Sequence, residues 1–183
     1  RKMELLLIAH NCANVPERGA TSFYEACQSF WFIQMLLQME SSGHSISPGR
    51  FDQYMYPYYK ADLDKGLITR EFAQELMDCI WVKLNDLNKA RDAASAEGFA
   101  GYSLFQNLIA GGQTAEGLDA TNDLSFMCIQ ATMHVLLPQP SFSVRVWNGT
   151  PHEFMMKAAE LTRTGVGLPA YYNDEVIIPA LLS

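Results

Sequence analysis

The chain has 183 residues, a net charge of −7 and 49% hydrophobic residues. That balance suits a globular core, is too apolar for disorder, and argues against non-specific nucleic-acid binding, which needs basic patches. Gln28, Gln34 and Gln38 interrupt the best apolar run, so no membrane span is expected, and the start shows no secretory signal pattern.

In chain order, residues 2–13 carry Leu5, Leu6, Ile8 and Ala9 at helical spacing, and Pro16 and Gly19 follow in a loop. Ser22 with Glu25 three residues on reads as a capping box. The helix it opens is expected to reach Glu40. Apolar residues from Phe23 to Leu37 cover most of its circumference, which predicts a buried helix. A polar, aromatic stretch, Gly43 to Tyr59, reads as a long loop, and Ala61–Gly66 as a polar connector. Thr69 caps the next helix, with Glu71 in its first turn and an apolar face from Phe72 to Leu87 that fades toward Gly98. Leu104–Ala110, closed by Gly111-Gly112, suits a buried strand. A helix then runs from Asp119–Asp123 to before Pro138, and Phe142–Trp147 alternates as a strand. Thr150, Pro151 and Glu153 combine cap, first-turn proline and acidic residue for a helix ending at Gly165. Leu168–Tyr172 is a third strand candidate, and Asn173 caps a last helix. Strands alternating with helices mean α/β.

Cys12, Cys27, Cys79 and Cys128 are far apart, form no CxxC and lie in apolar helical patterns. They are expected as small buried hydrophobes of a reducing cytoplasm, not as disulfides or zinc ligands. His10 and His152 are expected at the surface, and His134 has no ligand partner one turn away, so no metal site is expected. Arg50 is expected in a structural ion pair. Gln106, Asn107, Ser141, Ser143 and Arg145 are polar residues in strand patterns, expected as buried hydrogen-bonded groups. The tyrosines at 54, 56, 58 and 59 lack interleaved Lys and Arg, which argues against stacking on bases.

The stretch around which the chain is organised is Glu40-Ser-Ser-Gly-His-Ser-Ile-Ser-Pro-Gly-Arg-Phe-Asp-Gln-Tyr-Met-Tyr-Pro-Tyr-Tyr59. It resembles a segment of the glycyl radical enzymes in the pyruvate formate-lyase superfamily, and most of all their glycerol and diol dehydratase branch. Phe23–Gln34, Gly101–Gly112, Pro138–Arg145 and Gly167–Asp174 resemble further blocks in the family's order. The resemblance covers essentially the whole chain.

The resemblance implies part of a ten-stranded α/β barrel with long flanking helices. In the family a glycyl radical oxidises a cysteine on a barrel loop, and the thiyl radical takes hydrogen from the substrate. The family's cysteine block would follow soon after Ser183 and its glycine loop much later; none of the four cysteines here matches. The chain begins without an initiator methionine and opens and stops within helical patterns. Residues 1–183 are therefore expected to be an internal fragment, inactive alone. By resemblance, His44 and Ser45 match positions that hold substrate hydroxyls, and Tyr102 matches a pocket-wall aromatic. On residue chemistry alone, capping the helix end is the more ordinary role for His44 and Ser45, and the resemblance reverses that preference. Both can donate hydrogen bonds to a departing hydroxyl. The resemblance further implies a small diol-like substrate, a homodimeric cytoplasmic parent enzyme, and an activating partner that uses S-adenosylmethionine and an iron–sulfur cluster. Formate acetyltransferase, choline lyase, hydroxyproline dehydratase, isethionate lyase and arylacetate decarboxylase activities stay open within the family. A non-catalytic α/β protein binding partners through its tyrosine-rich loop is the alternative outside it.

Overall fold

The computed structural model describes residues 1–41, 43–87, 92–98 and 104–183. The described elements are α1 (Lys2–Asn14), α2 (Phe23–Glu40), α3 (Phe51–Asp64), α4 (Arg70–Asp86), α5 (Ala93–Gly98), β1 (Asn107–Gly111), α6 (Asp123–Val135), β2 (Ser141–Val146), α7 (His152–Arg163), β3 (Ala170–Asn173) and α8 (Asp174–Leu182). The strands form one parallel sheet in the order β1-β2-β3. Parallel neighbours need a crossover, and α6 and α7 supply it. The mixed α/β class is as the alternating pattern predicts.

The strand period of two divides the sheet into an apolar and a polar face. Leu108, Ala110, Phe142 and Val144 are buried in a core with Phe51, Trp81, Leu124, Phe154 and Leu161. Asn107, Ile109, Ser141, Ser143 and Arg145 alternate with them, so they lie on the other face. Trp81 is the pivot of the core. It packs edge-on to Phe51 and tilted on Phe142, and its indole N–H donates to the Thr132 hydroxyl at 2.9 Å. One side chain thus joins α3, α4, α6 and β2, and its one polar atom is satisfied.

Four expectations about the helices change. First, Phe51–Asp64 is a helix, not loop and connector. Phe51, Met55, Tyr59 and Asp62 recur at helical spacing and are all buried. Burying that stripe outweighs Pro57, which removes one intrahelical bond and sits inside the helix. Second, the Ser22 cap is present on one side only. Its hydroxyl accepts the Glu25 N–H at 3.1 Å, whereas the Glu25 carboxylate turns to the Thr21 N–H at 2.7 Å. Asp62 of α3 accepts the Phe23 N–H at 2.7 Å and completes the cap across the fold. Third, Thr150 does not cap α7; its hydroxyl accepts the Trp147 N–H. Fourth, α2 is not buried all round. Ile33, Leu36 and Leu37 are 43%, 50% and 41% exposed, while Gln34 and Gln38 are 4% and 3% exposed. Cys27 and Cys128 are buried as expected, but Cys12 and Cys79 are exposed.

Asn122 shows how caps and tertiary contacts combine. Its Oδ1 accepts the N–H groups of Leu124 and Ser125, and its Nδ2 donates to the Asp52 carbonyl at 3.1 Å. Asn122→Ala is expected to destabilise the protein by about 1–2 kcal/mol, the upper range for a lost cap. Urea unfolding would read this, and an unchanged midpoint would refute it.

Candidate functional site

The candidate site is the connection between α2 and α3, where His44 and Ser45 stand exposed. Gly43 ends the helix with φ +75°, and its N–H donates to the Gln38 carbonyl. The His44 N–H donates to the Ser41 hydroxyl, and its Nδ1 lies 3.3 Å from the Ser41 carbonyl. A carbonyl only accepts, so Nδ1 carries the hydrogen in that contact. Nε2 is then an acceptor in the neutral ring and a donor in the charged one. Helix-end contacts therefore set the ring's tautomer. Ser45 has φ +47°, a left-handed conformation that costs a non-glycine residue about 1 kcal/mol or more.

That conformation persists because the residues around it are tied down. The connection runs beside β1 on the edge away from β2. The Ser45 N–H donates to the Leu104 carbonyl at 3.0 Å, and the Asn107 N–H donates to the Ser47 hydroxyl. Gly49 accepts from the Ile109 N–H at 2.7 Å and donates to Asn107. Between these ties, the Nε2 groups of Gln34 and Gln38 both donate to the Ile46 carbonyl, at 2.7 and 3.1 Å. Gln34 also reaches Gln106 Oε1, and Gln106 donates onward to the Leu84 carbonyl and Gln139. Residue chemistry alone did not mark these glutamines as part of a site. Their signal is spacing: polar residues at i and i+4 in an otherwise apolar helix.

A second polar centre wraps the far end of β1. Gly111 and Gly112 have φ +76° and +84°, and a Cβ on Gly112 would lie 2.9 Å from an Asp174 oxygen. Asp174 is buried and takes the Arg145 guanidinium in two bonds, at 2.6 and 2.9 Å, and the Gln113 N–H. Arg50 forms no ion pair among the described residues, contrary to expectation. It donates to the Gly111 and Gln113 carbonyls, both at 3.0 Å. The glycine turn leaves those carbonyls bare, and a guanidinium fork fits two of them. On the polar sheet face, Asn107 Nδ2 donates to Ser143 Oγ at 2.7 Å.

Asp52 is fully buried, and its Oδ2 accepts from Gly111 N–H at 2.8 Å and Ser125 Oγ at 2.5 Å. Burial pushes its pKa up, against the pull of those hydrogen bonds and of Arg50. A raised folded pKa favours the neutral form, so its stabilising contribution is full at low pH and is lost as pH rises above the ordinary carboxylate range. Asp52→Asn keeps an acceptor oxygen but cannot titrate. The variant is expected to gain stability on the wild type as pH rises through that window. Urea midpoints at acid and neutral pH test this, and parallel curves would overturn it.

Tyr102 lies outside the described residues, so its relation to His44 and Ser45 is not among the contacts above. A groove of about 560 Å³ lies behind the connection, between α2, Ile46–Pro48 and α3. It is lined by Phe30, Ile33, Gln34 and Tyr54 among others, and neither His44 nor Ser45 lines it. Among the described residues no helix is long and apolar enough to cross a membrane, and no three His, Cys, Asp or Glu side chains cluster as metal ligands.

The Pyruvate formate lyase-like family profile matches residues 1–183, and the chain belongs to that family. Over its full length it is 76% identical, with a TM-score of 0.94, to a Roseburia inulinivorans structure that describes 1,2-propanediol dehydration and its substrate and enantiomer selectivity. It covers 23% of that chain. Against the glycerol-bound B12-independent glycerol dehydratase of Clostridium butyricum the identity is 64% and the TM-score 0.91, covering 99% of this chain and 23% of that one. The isethionate sulfite-lyase of Oleidesulfovibrio alaskensis is 38% identical over 185 residues, all of this chain and 22% of that protein. The chain thus spans under a quarter of the length of these relatives.

Proposed function

We propose that this chain is the substrate-binding part of a glycyl radical dehydratase that removes water from glycerol or 1,2-propanediol. The observation that carries this reading is the contrast in identity along the same residues. It is 76% and 64% to the propanediol and glycerol proteins, and 38% to the isethionate lyase. Substrate discrimination resides in side chains facing the reacting carbon, so similarity at this level favours a neutral diol over a sulfonate. The three-stranded parallel sheet is then one stretch of the ten-stranded barrel.

In this reading His44 and Ser45 hold the substrate hydroxyls, and Tyr102 forms the pocket wall. The family's radical, carried on a glycine outside residues 1–183, supplies hydrogen abstraction through a cysteine thiyl. The work of this chain is binding and polarity. Ser45 Oγ–H and, in the charged ring, His44 Nε2–H face the C–O bond that breaks and stabilise charge growing on the departing oxygen. The diol radical loses water to leave a radical beside a carbonyl, and return of the hydrogen atom from the same cysteine gives the aldehyde. The same reading carries with it an S-adenosylmethionine-dependent iron–sulfur activating enzyme, a homodimeric parent and an anaerobic cytoplasmic setting.

The test is anaerobic assay of the full-length gene product with its activating enzyme on glycerol, 1,2-propanediol, isethionate and trans-4-hydroxyproline. Aldehyde from the two diols is expected. Turnover of isethionate or hydroxyproline alone would overturn the reading.

A further inference from the structure

We propose that Gln34 and Gln38 are positioning residues that fix His44 and Ser45 for the substrate; this rests on the diol-binding reading above. Their amides converge on one acceptor, the Ile46 carbonyl, one residue beyond Ser45. Both side chains are buried, on a helix whose leucines face outward. Two buried amides aimed at one backbone carbonyl mark that carbonyl as what this end of the helix holds. Ser45 sits between two fixed points. On one side Gly43 is bonded to the Gln38 carbonyl, and on the other Ile46 is bonded to the Gln38 and Gln34 amides. Gln38 therefore grips the connection at both ends of the His44-Ser45 pair, once by backbone and once by side chain. Gln34 ties the same carbonyl to Gln106 and through it to Leu84 of α4 and to Gln139, two residues before β2. Without the amides the left-handed Ser45 keeps its bond to the Leu104 carbonyl but loses the anchor on its C-terminal side, and the two hydroxyl-binding groups lose their mutual orientation.

The experiment uses the full-length enzyme and measures 1,2-propanediol binding to the unactivated protein by calorimetry, alongside kcat and KM after activation. Gln38→Leu and Gln34→Leu keep the helix packed but cannot donate. Each is expected to weaken diol binding about 10-fold with little loss of melting temperature, a loss on the scale of one misplaced polar contact. Gln38→Glu supplies a reading that a structural role would not move. A protonated carboxyl can donate to the Ile46 carbonyl, whereas a carboxylate repels it. Diol affinity of this variant is expected to be near normal at acid pH and to fall as pH rises, with a steeper pH dependence than the wild type. If Gln38→Leu fails to fold, Gln38→Glu carries the test at acid pH.

Unchanged affinity in Gln34→Leu and Gln38→Leu, or a melting temperature that drops while affinity holds, overturns the proposal. Gln28→Leu, on the same helix but away from the connection, is expected to bind normally. His44→Ala and Ser45→Ala separate the two levels. If they weaken binding and the glutamine variants do not, only the positioning role fails. If they bind the diol normally, the site reading itself fails.

Discussion

His44→Ala and Ser45→Ala, each in the full-length enzyme, are expected to lower kcat/KM for 1,2-propanediol by about 10²–10³-fold, the scale for removing one preorganised donor from a developing oxyanion. Stability should change little, because neither side chain belongs to the hydrophobic core. Ser45→Gly sharpens the comparison. Glycine adopts φ +47° without strain, so this variant removes the hydroxyl while relaxing the backbone. If activity depends on the hydroxyl, alanine and glycine fail alike. If it depends on the rigid backbone, glycine is the worse of the two. The reading is lost if all three variants turn over the diol at the wild-type rate.

Asp174→Ala is expected to destabilise the protein by about 3–5 kcal/mol, the cost of leaving one partner of a buried ion pair behind. Asp174 is 1% exposed and Arg145 20% exposed on their side chains. Removing the carboxylate strands the Arg145 guanidinium and the Gln113 N–H together. It also removes the reason for Gly112, whose place beside Arg145 and Asp174 has no room for a Cβ. The double change Arg145→Met with Asp174→Leu is expected to cost less than Asp174→Ala alone, because no buried charge is left uncompensated. Urea unfolding and hydrogen exchange at the Gln113 amide measure both effects. A single variant no less stable than the double would refute the argument. The pair locks the end of β2 to the start of α8, so the polar sheet face keeps one shape.

Much of the local structure was legible because it is local in cause. Thr69, Asn173 and the acidic first turns mark their helices through hydrogen bonds that span three residues. The strand at Ser141–Val146 shows its alternation, and the glycines at 111 and 112 mark the end of β1. The missed helix α3 is instructive. Pro57 and the tyrosines conceal a stripe of Phe51, Met55, Tyr59 and Asp62 whose burial depends on α2 and α6 being there to cover it. Thr150 was misread for a related reason. A capping residue has two nearby N–H groups to choose from, and the turn at Trp147 took it.

For the site, the residues Gly43-His44-Ser45 and their family resemblance were readable from the chain, as were the α/β class and the family itself, which the full-length profile match bears out. Those depend on residue identity and order. What only the tertiary structure decided is how the pair is held. Gln34 and Gln106 are 72 positions apart, and Asp174 meets Arg145 across 29. A side-chain amide looks the same in sequence whether it faces water or a buried carbonyl. The choice is made by which backbone groups the fold strips of solvent, and the Ile46 carbonyl becomes such a group only when the connection is laid against α2 and β1.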